Sequence, residues 1–153
     1  MPQQIIEGFD ELKKLVGQEV AVSDYLEVTQ EQIDQFAQTT GDRQWIHIDV
    51  ERARTESPYR NTVAHGFLTL SLLSPLLGNA VKVRGVRMGV NYGLDRVRFP
   101  AAVPAGSRVR ARLTVLSVED IAGGVQVKWG FAVECEGATK PSCAAEWLVR
   151  WYA

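Results

Sequence analysis

Histidine and cysteine are scarce in this chain of 153 residues, with two of each. Charge of either sign is also not in excess: the formal net charge is −1. A chain so balanced offers no electrostatic case for nucleic acid or for an anionic membrane surface. Arginines are locally dense between Arg84 and Arg112, but apolar residues interleave with them, which reads as a solvated strand face. No window approaches the roughly 18 apolar residues that a membrane-spanning helix needs. The opening Met-Pro-Gln-Gln-Ile-Ile-Glu has no basic region followed by a long apolar stretch, so no secretory signal is expected. Cys135 and Cys143 have no neighbours at metal-ligand spacing, and both fall in alternating patterns. They are expected as reduced core or near-core thiols of a cytoplasmic protein. Repeats, low-complexity segments and linkers are absent too, which predicts a single domain over residues 1–153.

What is present is a clear change of period along the chain. Residues 9–16 predict a short helix stopped by Gly17, and the partly alternating residues 18–28 predict a strand. Thr29 then opens a helix: its side chain can cap, Gln32 completes a Thr-x-x-Gln capping box, and Val28 can staple against Ile33. Ile33, Phe36 and Ala37 form one apolar stripe, and the helix should end by Gly41. Residues 66–77 are apolar on most faces, the mark of a buried helix, with Gly78 as the expected stop. Pro75 inside that run should remove the hydrogen bond to the Ser71 carbonyl and bend or end the helix.

From Arg84 onward the period becomes two. Val109, Ala111, Leu113 and Val115 alternate with Arg108, Arg110, Arg112 and Thr114. Val125, Val127, Trp129, Phe131, Val133 and Cys135 make a second series; Cys143, Ala145, Trp147, Val149 and Trp151 make a third. Gly123-Gly124 and the stretch from Gly137 to Pro141 supply turns between them. Successive strands with short connections predict an antiparallel sheet with one strongly apolar face. Wrapped around the apolar helix from Gly66, such a sheet is an α+β hotdog fold.

Five positions separate Asp42 from His47, about 140° apart on one helix, so a joint role requires a loop or turn. A turn acid and an ordinary polar residue would give the same pattern. Gly66 at the start of the helix exposes amides without intrahelical partners, and lacking a Cβ it lets a ligand carbonyl approach. Close packing of helix on sheet is the other reason to have glycine there. His65, one residue earlier, is a weak catalyst candidate, since a histidine there more often fixes a loop by hydrogen bonding. Ser71 can reach back toward the Asp42 loop, or else bond the carbonyl four residues before it.

Residues 41–47, Gly-Asp-Arg-Gln-Trp-Ile-His, resemble the Asp-x4-His motif of the MaoC-like (R)-specific enoyl-CoA hydratases. Residues 62–71, Thr-Val-Ala-His-Gly-Phe-Leu-Thr-Leu-Ser, are similar to the start of that family's central hotdog helix. Residues 89–100 and 103–107 resemble its nodulation-protein-N-like branch. The likeness runs from about Gln18 to Tyr152, with one departure: many members have Asn-Pro where this chain has Gln44-Trp45.

The resemblance implies reversible hydration of trans-2-enoyl-CoA to (R)-3-hydroxyacyl-CoA. Asp42 and His47 would act on one water, the Gly66 amide would hold the thioester oxygen, and Ser71 would support them. His65 and Asn91 would contact the acyl-CoA substrate. No metal or other cofactor is implied, because CoA enters as part of the substrate. A homodimer is implied as well. A hotdog acyl-CoA thioesterase and a non-catalytic acyl-CoA-binding protein are the alternatives. The histidine five residues after the acid favours hydration, since a second proton-transferring group on the same water suits addition across a double bond.

Overall fold

The computed structural model describes residues 2–153. From the N-terminus the chain forms β1 (Gln4–Ile6), α1 (Phe9–Lys13), β2 (Glu19–Val22) and β3 (Leu26–Glu27). The helices α2 (Gln30–Thr40), α3 (Trp45–Ile48), α4 (Val50–Glu56), α5 (Gly66–Ser71) and α6 (Leu73–Ala80) follow. The remainder is sheet: β4 (Val81–Val83), β5 (Met88–Arg98), β6 (Arg108–Ile121), β7 (Gly124–Cys135) and β8 (Cys143–Tyr152).

Alternation in the last three strands has the expected consequence. They pair antiparallel in the order β2-β6-β7-β8-β5, with β3 added on β6. Val109, Ala111, Leu113 and Val115 are fully buried, as are Val127, Trp129 and Val133 on the neighbouring strand. Burying each such Val or Leu contributes roughly 1.5–3 kcal/mol. The two strands β6 and β7 meet through Ala122 and Gly123, with Ile121 opposite Gly124. Gly123 takes a φ of +81°, and a Cβ on Gly124 would lie 1.9 Å from the Trp151 carbonyl oxygen. The first glycine serves the turn, and the second serves the close approach of β8.

Leu68, Leu73, Leu76, Leu77 and Ala80 join the sheet's apolar face in one core cluster. This helix-on-sheet arrangement is the expected α+β hotdog. The helix differs from expectation in three respects. It is broken into α5 and α6 at Leu72, rather than bent at Pro75 or stopped by Gly78. Proline has no N–H for the Ser71 carbonyl and its ring crowds that carbonyl, so the break falls where Pro75 occupies the first turn of a new helix. Gly78 stays inside α6, which runs on to Ala80. Finally, one face only is covered: Phe67 is 69% exposed, and Ser71, Ser74, Pro75 and Gly78 lie on the same open side.

Short elements escaped the pattern reading. Helices α3 and α4 occupy a stretch without a long apolar period. The parallel ladder of β1 with β4 is only three residues deep. The edge strand β5 shows no clean alternation, and Met88, Val90, Tyr92 and Leu94 along it are exposed.

Candidate active site

The site begins with the end of α2. Thr29 and Gln32 close the capping box expected of them, and the helix stops where Gly41 enters the left-handed region at φ 82°. Asp42 therefore leaves the helix axis on an exposed connection. The Thr40 hydroxyl accepts from the Asp42 amide at 3.3 Å, and the Asp42 carboxylate accepts from the Gln44 amide at 3.4 Å. The chain then turns into α3, whose four residues carry His47 inward, to 7% exposure. Gln30 of α2 donates to the His47 carbonyl at 2.8 Å, and the Thr62 hydroxyl donates to the other end of the Gln30 amide. Acid and imidazole thus come from two elements, as their spacing required.

Protons on the two imidazoles follow from their partners. His47 Nδ1 lies 2.6 Å from the Val63 carbonyl oxygen. A carbonyl only accepts, so Nδ1 carries the proton and Nε2 keeps a lone pair. His65 Nε2 lies 2.9 Å from the backbone carbonyl of Asp42 and donates to it by the same logic. The two rings stack with centroids 3.8 Å apart and planes 22° from parallel. Burial pushes the His47 pKa below its ordinary value; the Val63 carbonyl and Asp42 oppose this, and His65 adds to it. The imidazole is held neutral and able to accept.

Asp42, His47 and His65 each bring one oxygen or ring nitrogen to within 4.8 Å of the others. Two hydrogen bonds of ~2.8 Å can span such a separation, so one water can touch both acid and imidazole. A shared metal ion suits the set poorly. Imidazole lone pairs lie in the ring plane, and an ion between stacked rings would sit out of both planes. One nitrogen of each ring is also committed to a carbonyl.

A cleft of about 230 Å³ opens beside His47 and is lined also by Val63, Gly66, Thr69, Phe99 and Ser142 among others; Asp42 stands outside its lining. Gly66 opens α5, and its amide has no backbone acceptor among the described residues. The Phe99 ring stands against it, with carbons 3.1 Å from where a Cβ would be. A larger hollow of about 420 Å³ lies on the outer face of the sheet near Arg112 and Glu146, and no histidine lines it.

The remaining candidates separate from this cleft. Ser71 does not reach the Asp42 loop: it is exposed and donates to the Phe67 carbonyl at 2.7 Å. Its hydroxyl is used by its own helix, the common fate of serine inside one. Asn91 lines a different hollow, with Trp147 and Trp151, and its side-chain oxygen accepts from the Trp147 indole at 2.6 Å. His65 is buried beside His47 and does not line the cleft. Sequence reasoning missed Phe99 and the Val63 carbonyl. The first had only its place in a resembling segment as a signal, and the second, being backbone, had none.

An acid and a neutral imidazole close enough for one water to bridge, beside a helix-start amide without a backbone acceptor, suit the chemistry of a hydro-lyase. Comparison with known proteins agrees. Residues 11–134 match the family model described as MaoC like domain. The 3-hydroxyacyl-thioester dehydratase Z of Mycobacterium tuberculosis is 48% identical over 148 residues, covering 96% of this chain and 97% of the relative. Nodulation protein N of Rhizobium leguminosarum bv. viciae is 44% identical over 135 residues, covering 87% and 84%. Among solved structures, the unliganded R-hydratase PhaJ1 of Pseudomonas aeruginosa superposes with a TM-score of 0.70 at 24% identity, covering 90% of this chain and 81% of that one. The chain belongs to the MaoC-like dehydratase domain family, and it is an enzyme of the hydro-lyase class.

Proposed function

We propose that this protein is an (R)-specific enoyl-CoA hydratase, adding water reversibly to trans-2-enoyl-CoA to give (R)-3-hydroxyacyl-CoA. The observation that carries the reading is the convergence of the Asp42 carboxylate and the neutral His47 within one water's reach. The water oxygen bonds to C3 of the conjugated thioester while one of its protons passes to the Asp42–His47 pair. That pair returns a proton to C2, and the second water proton remains on the new hydroxyl. Charge that builds on the thioester oxygen meets the Gly66 amide. General acid–base help of this kind contributes on the order of 10²–10⁴-fold. The reaction so written uses no cofactor and no metal, and CoA travels with the substrate.

We further propose a homodimer. The edge strand β5 leaves Met88, Val90, Tyr92 and Leu94 exposed beside the uncovered side of α5 and α6, with Phe67 on it. A second copy of the chain would cover such a surface. We place the protein in the cytoplasm, where its two free, buried cysteines stay reduced; no helix among the described residues is long and apolar enough to cross a membrane.

The test is crotonyl-CoA, followed at the absorbance of its enoyl thioester with a free-thiol reagent present. Loss of the enoyl signal without thiol release supports the hydratase. Thiol release would overturn the hydratase reading in favour of a thioesterase, and no change in either signal would count against an enoyl-CoA substrate.

A further inference from the structure

The reaction as written uses one of the two histidines and leaves the other without a task. His65 is 3% exposed, and its ring packs on His47 and, with centroids 4.9 Å apart, on Phe36. One edge donates from Nε2 to the Asp42 carbonyl. The other edge, Nδ1, is buried with no hydrogen-bond partner. An unpaired buried acceptor is unfavourable for the fold. For filling space alone, phenylalanine would serve as well and would bury no unpaired nitrogen. The imidazole is explained by what its other edge and its face do together.

Three links run from this one residue. The Nε2–H ties down the backbone of Asp42, the ring face supports the ring of His47, and the peptide bond leads directly to Gly66. His65 nevertheless offers no edge to a substrate: unlike the exposed Asp42 it is buried, with Nε2 bonded to the Asp42 carbonyl and Nδ1 enclosed. We infer that His65 is a positioning residue, not a substrate contact: its imidazole holds the acid and the base of the site in register on a common water. The kinetic part of this inference rests on the hydratase reading above.

Two substitutions divide the links. His65→Phe keeps a flat ring under His47 and loses the donor to Asp42. His65→Gln keeps an N–H group at similar reach and loses the ring. Misplacing reacting groups by an ångström costs on the order of 10²-fold in rate. For crotonyl-CoA hydration, kcat of His65→Phe should fall by about that factor while KM changes by less than about threefold. His65→Gln should recover part of the lost kcat. A His65→Phe protein with wild-type kcat, or a loss carried mainly by KM, would overturn the inference.

A readout independent of turnover keeps the two proposals apart. Because the chain has two histidines, either variant assigns both imidazoles in a nitrogen–proton correlation spectrum. If the variants do not fold, an Asp42→Asn spectrum assigns them, since His65 bonds the Asp42 backbone and not its carboxylate. In the wild-type protein the His65 proton should sit on Nε2 and the His47 proton on Nδ1. Finding the His65 proton on Nδ1 would sink the positioning role even in an active enzyme. Absence of crotonyl-CoA hydration in the wild type, with the expected tautomers present, would instead sink the hydratase reading and leave the contact to Asp42 standing.

Discussion

Replacing Gly66 by alanine separates a catalytic glycine from a packing glycine. The added methyl would meet three carbons of the Phe99 ring at 3.1, 3.1 and 3.2 Å. Phe99 is 41% exposed, so its ring can yield by the few tenths of an ångström required. Moving a side chain part-way off its rotamer costs about 0.5–1.5 kcal/mol. Alanine recovers up to about 1 kcal/mol over glycine in a helix, less at its first residue. The two nearly offset each other. A net change within about 1 kcal/mol moves Tm by roughly 2–4 °C in a chain of this size. Turnover should respond far more. The methyl would stand on the cleft wall beside the place proposed for the thioester oxygen, and a lost or misplaced donor of this kind costs roughly 2.7–4 kcal/mol, or 10²–10³-fold. Enoyl absorbance with crotonyl-CoA and thermal melting, measured on one preparation, give both numbers. The double variant Gly66→Ala/Phe99→Ala removes the crowded ring. Recovery of the rate there would trace the loss to a displaced Phe99 and not to the oxygen's position. Normal turnover in a folded Gly66→Ala protein would refute the role assigned to its amide.

Asp42→Asn and His47→Gln should each lower turnover by about 10²–10⁴-fold, and the double variant should be little worse than either, because in the proposed reaction the two act on one water. More than a tenth of wild-type activity in Asp42→Asn would remove that carboxylate from the chemistry. The lowered pKa of His47 predicts a pH dependence of stability. Between its folded value and the ordinary value near 6.5 the unfolded chain binds more protons, so stability is lost as pH falls through that window and is complete above it. Urea denaturation of wild type and His47→Gln at several pH values should show a steeper acid-side loss in the wild type; parallel curves would contradict it. Gly124→Ala drives a methyl to 1.9 Å from the backbone oxygen of Trp151 and should cost about 3 kcal/mol or more. Gly78→Ala, in α6 with nothing within 4 Å of the new methyl, should be neutral or gain up to about 1 kcal/mol. Equal melting temperatures for these two glycine variants would count against the packing described for β8.

Legibility in the sequence tracked how many residues shared one constraint. In β6 as far as Val115, throughout β7 and in β8 as far as Val149 every second side chain is buried, so the pattern repeats often enough to be read without a structure. The capping box of α2 was equally plain because Thr29 and Gln32 act on each other's backbone. The broken central helix was half legible. Pro75 announced a break, but its position depends on which turn a proline can occupy, and the helix resolved this by restarting at Leu73. The exposed side of that helix was misread because apolar residues facing away from their own sheet look, in sequence, the same as core. Phe67 is the clearest case.

The site was legible as a set of residue types and opaque as a set of contacts. Acid, imidazole and glycine stood out because few other residue types can move a proton or admit a carbonyl so closely. What holds the imidazoles in place is mostly backbone. Val63 fixes the His47 tautomer through its carbonyl, and Asp42 receives His65 through its carbonyl rather than its carboxylate. Every residue offers such an oxygen, so neither contact leaves a signature in residue identity. Ser71 takes the second of the two courses its sequence left open. Its hydroxyl had a backbone acceptor four residues behind it in the same helix, nearer than any catalytic partner. An imidazole with a fixed proton needs an acceptor that is always present and never titrates, and a peptide carbonyl meets both conditions where a carboxylate meets one.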